Sequence, residues 1–570
     1  MRYHALACDY DGTLAHDGLV SEETIDALEE LKRSGRRLIM VTGRILDDLT
    51  TVFPRLDLFE SIVAENGAVV HDPARRESTI LSAPPPALFV ETLRLAGVSP
   101  LVLGRAIVAT TTPHEGPVLE AIRDLGLELH VIFNKGAVMV LPSGVNKASG
   151  LAAALSAMKL SSHNVVGVGD AENDHAFLKM CEASVVVSNA LPMLKEAADL
   201  VTGGDHGRGV EELCRRLLEN DLASLAPALA RHEFLLGHRD DGSEVRLPPY
   251  GEGILLAGTS GGGKSTIATG FLERLGERGY QYLVTDPEGD YQEFEGPIVL
   301  GGPRRPVSVD EVMRVLDDPA DNAVASMLGI ALPHRPGFFE QLIGAVNDLR
   351  TQTGRPHWLV IDEAHHMLPP TRGTVATALP RRLESTLLIT VHPDQVSPEA
   401  LKGIDLVLAI GSEPGNTLRM FARVAGIAAP RVPSVKLEPG EALAWWRHGK
   451  ESPFRIRSVK PRAELKRHQR KYMEGELPPD RSFWFRGPDG RLKLRAQNLK
   501  LFSQLAEGLD DETWLHHLRR GDYSAWFREA IKDDGLAEAA EAVEQDASLS
   551  ADESRGRILA GIEERYTGPA

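Results

Sequence analysis

Asp9 and Asp11 are the first residues of the chain whose types and spacing could do chemistry. They come directly after Ala5–Cys8, a short apolar run that predicts a buried strand of a parallel sheet. Alternation along a strand directs both carboxylates to the same side, and Gly12 then lets the chain turn off the sheet. Two carboxylates this close repel each other, and a divalent cation or an incoming electrophile can take up their charge. The pair alone is more typical of a solvated turn at a strand end, so its meaning depends on residues later in the chain.

A hydroxyl, an ammonium and a second group of acids occur at intervals along the chain. Thr42 comes directly after the apolar run 38–41, and the acidic segment 169–174 begins where the apolar run 165–168 ends. Lys147 stands between them, just before a helical pattern. Ligands of open α/β sheets bind outside the carboxyl ends of the strands. We therefore expect these side chains to gather at one edge of a sheet.

The four segments, in this order, resemble the four motifs of the haloacid dehalogenase superfamily of phosphatases. They read D-Y-D-G-T at 9–13, V-T-G-R at 41–44, a lysine at 147 and G-D-A-E-N-D at 169–174. One such motif is a weak signal, but all four in order and in context are specific. The match covers essentially all of residues 1–215. The resemblance implies a Rossmann-like α/β core with its site at the strand ends.

The resemblance also implies the part that each group plays. Asp9 would attack phosphorus and carry the phosphoryl group as an aspartyl-phosphate. Asp11 would protonate the leaving oxygen and then activate the hydrolytic water. Thr42 and Lys147 would hold the phosphoryl oxygens, the lysine as a point charge.

A magnesium site is implied beside these groups, because Mg²⁺ prefers hard oxygen ligands and binds through a few carboxylates and substrate phosphate oxygens. Asp9, Asp170 and the backbone carbonyl of Asp11 would bind the ion. Asn173 and Asp174 would orient that set of ligands.

The segment from about 82 to 145 interrupts the α/β rhythm between prolines at both ends. It resembles the small α/β cap of the phosphoglycolate- and sugar-phosphatase branch. A cap covers the site, excludes water and selects the substrate, so a small phosphorylated metabolite is expected. Asn66, in the Asn-Gly turn between two short strands, would contact that substrate or serve only as turn chemistry.

A second motif with chemical potential comes after the apolar run 254–257. Residues 258–265 satisfy G-x-x-x-x-G-K-[ST], with a predicted strand before and a helix after. Backbone N–H groups of such a loop cradle phosphates, Lys264 would reach the β- and γ-phosphates, Ser265 would bind Mg²⁺ and Thr266 would lie near the α-phosphate. With the acid that ends a later strand, the residues predicted to bind ATP are Gly258, Gly261, Gly263, Lys264, Ser265, Thr266 and Asp362.

An acid pair ends the apolar strand predicted at 358–361. Asp362 would hold the water shell of Mg²⁺, and Glu363 would polarise the attacking water, which favours ATP hydrolysis over phosphoryl transfer. The segments D-P-E-G-D-Y at 286–291 and T-V-H-P-D-Q at 390–395 make the region similar to the HerA/FtsK-like branch of motor ATPases. These enzymes usually form rings, so the resemblance implies a homo-oligomer.

Residues 460–570 are less informative. Basic residues outnumber acidic ones between 462 and 500 and are mixed with aromatic residues, which indicates either a nucleic-acid or phosphosugar surface or a small module with a solvated basic edge. Residues 499–566 alternate apolar and charged positions at helical spacing, which predicts a helical bundle.

Length and composition set the outer limits. A chain of 570 residues is expected to form about three or four domains, and 42% hydrophobic with 25% charged residues is ordinary globular composition. The net charge of −18 argues against a globally electrostatic nucleic-acid binder. The sequence contains no apolar stretch of the ~18–20 residues that cross a bilayer. The first strand is predicted too close to the N-terminus to leave room for a signal peptide. The three cysteines do not have the spacing of a metal or redox site. These features predict a cytoplasmic protein without a membrane partner.

The sequence thus predicts an α/β protein of three parts. These are a capped phosphatase over 1–222, a RecA-like P-loop ATPase over 230–458 and a mostly helical module over 460–570. The predicted function is a Mg²⁺-dependent phosphomonoesterase fused to an ATP-hydrolysing domain, with Mg²⁺ and ATP as cofactors. Two alternatives stay open: a nucleic-acid processing motor with end-phosphatase activity, and a nucleotide-gated regulatory switch.

Overall fold

The structure of the chain is a computed structural model. It describes residues 1–570 with the exception of 135, 260–262, 293, 371–382, 433–434, 450, 463–471, 474–476, 478–481, 489, 491, 532 and 567–570. The described residues form two compact units, Met1–Val459 and Lys460–Ala570. Among the helices that the structure describes, none combines the length and the apolar character needed to cross a membrane.

The first part of the larger unit, residues 1–222, is built on one sheet of eight strands with a smaller sheet inserted. The strands in chain order are β1 (Ala5–Cys8), β2 (Arg37–Val41), β3 (Ser61–Ala64), β4 (Val69–Asp72), β5 (Glu77–Ile80), β6 (Val102–Leu103), β7 (Val108–Thr111), β8 (Leu129–Asn134), β9 (Ala137–Pro142), β10 (Val165–Gly169), β11 (Ala183–Val186) and β12 (Leu200–Val201). The order in the large sheet is β12-β11-β10-β1-β2-β3-β4-β5, parallel from β12 to β3 and antiparallel beyond.

Helices cover both faces of this sheet because its central strands are apolar on both sides. They run over Glu22–Arg33, Leu46–Val52, Lys147–Ala157, His175–Met180, Pro192–Ala197 and His206–Asn220. Strands β1, β3, β10 and β11 are buried along their whole length. The apolar core therefore forms two layers, one on each side of the sheet.

The inserted sheet has four antiparallel strands in the order β6-β7-β9-β8, and helices Ala87–Leu95 and Glu115–Asp124 pack on it around a core of its own. It lies in the segment for which the sequence predicts a cap.

The second part of the larger unit contains a sheet of eleven strands. These are β13 (Phe234–His238), β14 (Glu244–Leu247), β15 (Gly253–Gly258), β16 (Tyr282–Asp286), β17 (Ile298–Leu300), β18 (Ala323–Ser326), β19 (Trp358–Ile361), β20 (Thr386–Thr390), β21 (Leu406–Ile410), β22 (Glu441–Trp446) and β23 (Phe454–Ser458). Their order is β14-β13-β23-β22-β21-β15-β20-β19-β16-β18-β17, parallel from β21 to β17 and antiparallel in the other strands. The helices of this part run over Lys264–Glu277, Val309–Leu316, Arg335–Thr353, Ala364–Met367, Pro398–Lys402 and Pro414–Ala425.

The smaller unit is mainly helical among its described residues. A two-stranded ribbon of β24 (Phe483–Phe485) and β25 (Leu494–Ala496) precedes helices Leu499–Glu507, Asp511–Leu518, Asp522–Trp526, Asp534–Gln545 and Ala551–Tyr566, with a π-helical turn at Phe527–Ile531. Its core is aromatic, with fully buried side chains at Phe485, Phe502, Trp514, Tyr523 and Phe527.

Candidate active site

Three neighbouring strands of the first sheet end at the same edge and carry the polar residues that the sequence singles out. Strand β1 pairs in parallel with β2 on one side and β10 on the other, with Cys8 opposite Met40 and Val168. Continued by one residue, this register sets Asp9 beside Val41 and Gly169, and Thr42 and Asp170 come directly after those two residues. Asp9, Thr42 and Asp170 are all at most 5% exposed. The predicted gathering of these groups at strand ends is thus what the topology produces.

Lys147 reaches this edge from the start of a helix. The side chain of Asn146 accepts the backbone N–H groups of Ala148 and Ser149, and the Ser149 hydroxyl caps the Asn146 N–H in return, so the helix begins at Lys147. The lysine Nζ donates 2.6 Å hydrogen bonds to Asp9 Oδ1 and to Asp174 Oδ1. Burial lowers the pKa of Lys147, but the two carboxylates outweigh it and hold the pKa above its ordinary value. The ammonium is therefore a fixed positive charge in contact with Asp9.

Three carboxylates face this one ammonium. Asp9, Asp170 and Asp174 offer oxygens that lie within 4.8 Å of one another, and all three are buried. Burial, and next the repulsion from Asp174, raise the pKa of Asp9 above its ordinary value despite Lys147. An excess of buried negative charge on hard oxygen donors is what a divalent cation such as Mg²⁺ neutralises. The donor set therefore fits the ion that the resemblance implies.

Asp174 also shapes the loop that carries Asp170. Its Oδ2 accepts the backbone N–H groups of Asp170 and Ala171, both at 2.9 Å. Gly169 allows this fold, since a Cβ there would lie 2.7 Å from that oxygen. One oxygen of Asp174 thus holds the loop, and the other holds Lys147.

Asp11 and Asn173 each have a side-chain partner at the site. Both oxygens of Asp11 accept from the guanidinium of Arg44, at 2.8 and 2.7 Å, so proton transfer by Asp11 requires a change of rotamer that releases it. Asn173 donates to the side chain of Asn66 at 2.9 Å, and its own Oδ1 is buried with no hydrogen-bond partner among the described residues. Asn173 therefore belongs with the turn at Asn66.

That turn, the single helical turn Glu65–Gly67, touches three parts of the site at once. The fully buried carboxylate of Glu65 accepts the backbone N–H groups of Arg105 and Ala106 in the inserted segment, at 2.9 and 2.8 Å. Asn66 donates to Met139 Sδ of that segment at 2.9 Å. A Cβ on Gly67 would lie 1.9 Å from the Asn146 carbonyl oxygen, so the turn packs directly on the start of the lysine helix. Glu65 and Asn66 both have a positive φ, a conformation rare outside glycine that clusters at functional sites.

The first part of the chain is similar to known hydrolases. The model of the haloacid dehalogenase-like hydrolase family matches residues 6–86 and 118–213. A phosphoglycolate phosphatase of Methanothermobacter thermautotrophicus is 34% identical over 229 residues, which are 38% of this chain and 98% of that protein. The chain belongs to the haloacid dehalogenase-like hydrolases.

Further relatives of this haloacid dehalogenase-like hydrolase include a phosphoglycolate phosphatase of Methanosarcina acetivorans, 24% identical over 39% of this chain and 99% of that protein. A crystal structure of a haloacid dehalogenase-like hydrolase from Bacteroides thetaiotaomicron aligns with 38% of this chain and 99% of its own, at 20% identity and a TM-score of 0.34. Phosphatase activity of the first part of the chain is supported by the family and by these curated relatives.

Replacing Glu65 by glutamine is expected to lower kcat/KM of this haloacid dehalogenase-like hydrolase about tenfold or more. One of the two cap N–H groups would then face an amide N–H₂ instead of a carboxylate oxygen, and a lost hydrogen bond to a charged acceptor costs about 1.5–3 kcal/mol. Steady-state kinetics on a small phosphate ester measures the effect. Glu77→Gln, on the exposed strand β5, is the matched control. Equal kcat/KM in the wild type and the Glu65 variant would show that this contact does not hold a catalytically required arrangement.

The second sheet brings another set of predicted residues to one edge. Gly258 ends β15, Asp362 comes directly after β19, and Thr390 ends β20, which lies between these two strands. A Cβ at Gly258 would lie 2.3 Å from the Ile410 carbonyl oxygen, so only glycine fits there. Gly261 lies outside the described residues. Gly263, with φ +94°, caps helix Lys264–Glu277, whose first turn contains Ser265 and Thr266.

Lys264, Ser265 and the acid pair complete this second cluster. Lys264 Nζ donates to the carbonyl oxygens of Gly258 and Thr259 at 3.2 and 3.5 Å, and Ser265 Oγ lies 3.3 Å from Asp290 Oδ2. Burial raises the pKa of Asp362 to about 8. Burial, and next the repulsion from Glu288, also raise the pKa of Glu363. The cluster thus contains a helix N-terminus, a lysine and two acids, and a bound cation would favour the ionised form of those acids.

Proposed function

We propose that residues 1–222 form a Mg²⁺-dependent phosphomonoesterase that works through an aspartyl-phosphate on Asp9. The observation that carries the proposal is Lys147, held at 2.6 Å from Asp9 among three buried carboxylates. Asp9, Asp170 and the Asp11 carbonyl would hold the cation, which when bound would screen the phosphate ester from the charge of Asp9.

The proposed reaction has two steps on Asp9. Lys147 fixes Oδ1, so we assign Oδ2 to attack: the new O–P bond forms as the ester O–P bond breaks, and Asp11 gives a proton to the leaving oxygen. Water then attacks the same phosphorus, Asp11 takes its proton, and the Asp9–phosphorus bond breaks. Lys147 and Thr42 stabilise the negative charge that grows on the phosphoryl oxygens. Asp11 can transfer these protons only after its hydrogen bonds with Arg44 break.

A small phosphorylated metabolite is the substrate that we propose, of the phosphoglycolate or sugar-phosphate type. The inserted segment, residues 82–145, supports this proposal because Glu65 holds its loop against the core next to the site. Relatives named phosphoglycolate phosphatase point to the same class of substrate.

A panel of phosphate esters tests the proposal. The purified full-length protein is assayed with phosphoglycolate, several sugar phosphates and a 5′-phosphorylated oligonucleotide, with Mg²⁺ and with EDTA. Small esters should be hydrolysed only with Mg²⁺, and the oligonucleotide should not. Preferred hydrolysis of the oligonucleotide would support the end-processing alternative, and no turnover of any ester would contradict the proposal.

We also propose that residues 230–458 are a P-loop domain that binds and hydrolyses ATP with Mg²⁺. The supporting observation is the shared edge of β15, β20 and β19, which brings Lys264 and Ser265 to the same end of the sheet as Asp362 and Glu363. Lys264 would leave its two carbonyl partners for the β- and γ-phosphates, and Glu363 would polarise the attacking water. A ring of copies and a nucleic-acid partner belong to the motor version of this proposal, and ATP binding without turnover belongs to the switch version.

A further inference from the structure

Two histidines and a glutamate form a cluster away from both sites described above. His163 lies in the turn before β10, Glu182 directly before β11, and His232 ends the 3₁₀ helix Ala223–His232 that leads to the second sheet. The Glu182 side chain is fully buried, and those of His163 and His232 are 12% and 15% exposed. The cluster also contacts the segment after helix Lys264–Glu277: the ring of Tyr280 stacks on His163 at 3.8 Å between centroids.

The hydrogen bonds of the two imidazoles fix their orientation. Nε2 of His163 lies 2.7 Å from the Arg278 carbonyl oxygen, and Nε2 of His232 lies 2.9 Å from the Glu182 carbonyl oxygen. A carbonyl oxygen only accepts, so each Nε2 carries a hydrogen, and Nδ1 is the nitrogen that could bind a metal after losing any hydrogen of its own. An imidazole whose second nitrogen donates to a backbone carbonyl is the usual arrangement of a metal-binding histidine.

Both Nδ1 atoms lie within 4 Å of the same oxygen. His163 Nδ1 lies 2.7 Å from Glu182 Oε2, and His232 Nδ1 lies 3.7 Å from it. Each of the three residues offers one ligand atom that lies within 4.8 Å of those of the other two. Tetrahedral zinc sites, with bonds of about 2.0–2.2 Å, separate their ligand atoms by about 3.4 Å. Shifts of less than about 1 Å would therefore suffice to bring the three atoms to that spacing.

We propose that His163 Nδ1, His232 Nδ1 and Glu182 Oε2 bind a zinc ion that ties the two α/β parts of the chain together. Two imidazoles with one carboxylate are a common zinc ligand set, and the fourth position would be taken by water. Arg2 donates to Glu182 Oε1 and balances its charge. The site therefore suits Zn²⁺, which imidazole nitrogen binds well, better than Mg²⁺ or Ca²⁺, which need oxygen ligands with negative charge.

Zinc would compete with a hydrogen bond that already joins two of the three ligands. The competitor of zinc is a proton shared by His163 and Glu182, because at 2.7 Å one of the two must donate. Zinc binding would release that proton.

Zinc content and zinc binding of the full-length protein test the site. The protein is purified without a histidine tag, stripped with a chelator, returned to excess Mg²⁺ and titrated with Zn²⁺ by calorimetry, and its metal content is measured by mass spectrometry. We expect about one zinc per chain, an increase in Tm on adding zinc, and a Kd raised at least about 100-fold in His232→Gln and Glu182→Gln.

Two controls separate this site from other places where zinc could bind. His16→Gln changes a histidine whose side chain is 65% exposed, and Asp170→Asn changes the acidic cluster of the phosphatase part. Both should keep wild-type zinc affinity. A wild-type protein that binds no zinc would show that the cluster is an imidazolium–carboxylate pair only. Wild-type affinity in His232→Gln and Glu182→Gln, or its loss in Asp170→Asn, would place the ion elsewhere. Each of these three outcomes would overturn the proposal.

Discussion

Replacing Asp9 by asparagine is expected to lower phosphatase kcat by at least about 10⁴-fold, the order seen when a nucleophile is removed. An amide has the same shape as a carboxylate and its oxygen can still accept from Lys147, so the fold should be kept. The asparagine amide does not form an acyl-phosphate, however, and both chemical steps depend on that intermediate. The measurement is kcat on the best ester of the panel, with Tm and circular dichroism as checks of folding.

The matched control for this variant is Asp17→Asn. Asp17 carries a side chain that is 94% exposed and has a positive φ, which asparagine tolerates well. It should keep wild-type kcat. A kcat of Asp9→Asn within about tenfold of the wild type would remove Asp9 from the role of nucleophile.

Replacing Lys264 by alanine is expected to lower ATP hydrolysis at least about 100-fold, because the ammonium is the group that would meet the charge growing on the β- and γ-phosphates. Among the described residues, its hydrogen bonds go to two carbonyl oxygens of the loop, so its removal should spare the fold. Phosphate release from Mg²⁺-ATP and binding of a fluorescent ATP analogue are the measurements. Lys402→Ala, at an exposed helix position, is the control and should hydrolyse ATP normally.

The same experiment separates the versions of the ATPase proposal. Unchanged ATP hydrolysis in Lys264→Ala would mean that this loop is not the nucleotide site. ATP binding without turnover in the wild type would favour the regulatory switch, and stimulation of turnover by DNA would favour the motor. The phosphatase rate of Lys264→Ala, with and without ATP, shows whether the two sites influence each other.

The strand-end residues could be predicted because their signals are local. An apolar run that ends in a polar residue marks the end of a buried parallel strand, and β10, β1 and β2 then bring Asp170, Asp9 and Thr42 together. The position of Lys147 is set by the Asn146 cap, which is equally local. These parts of the site depend on short-range rules, and the sequence contains all of them.

Contacts between distant segments gave no such signal. Glu65 accepts hydrogen bonds from backbone N–H groups some forty positions further on. Because every residue except proline has a backbone N–H, the residue types do not reveal such a partner. The bidentate pairing of Asp11 with Arg44 shows only once β1 and β2 are aligned. His163, Glu182 and His232 have no motif spacing and meet only through the packing of three loops.

The turn Glu65–Gly67 has a consequence for how substrates are told apart. This one turn contacts the inserted segment at Arg105 and Ala106, the acidic loop at Asn173, and the start of the helix that presents Lys147. A substrate that pushes the inserted segment away from the core would therefore also displace the catalytic groups that this turn contacts. Such a poor substrate would enter and leave almost normally but react slowly, so discrimination would be read in the rate of the chemical step more than in affinity.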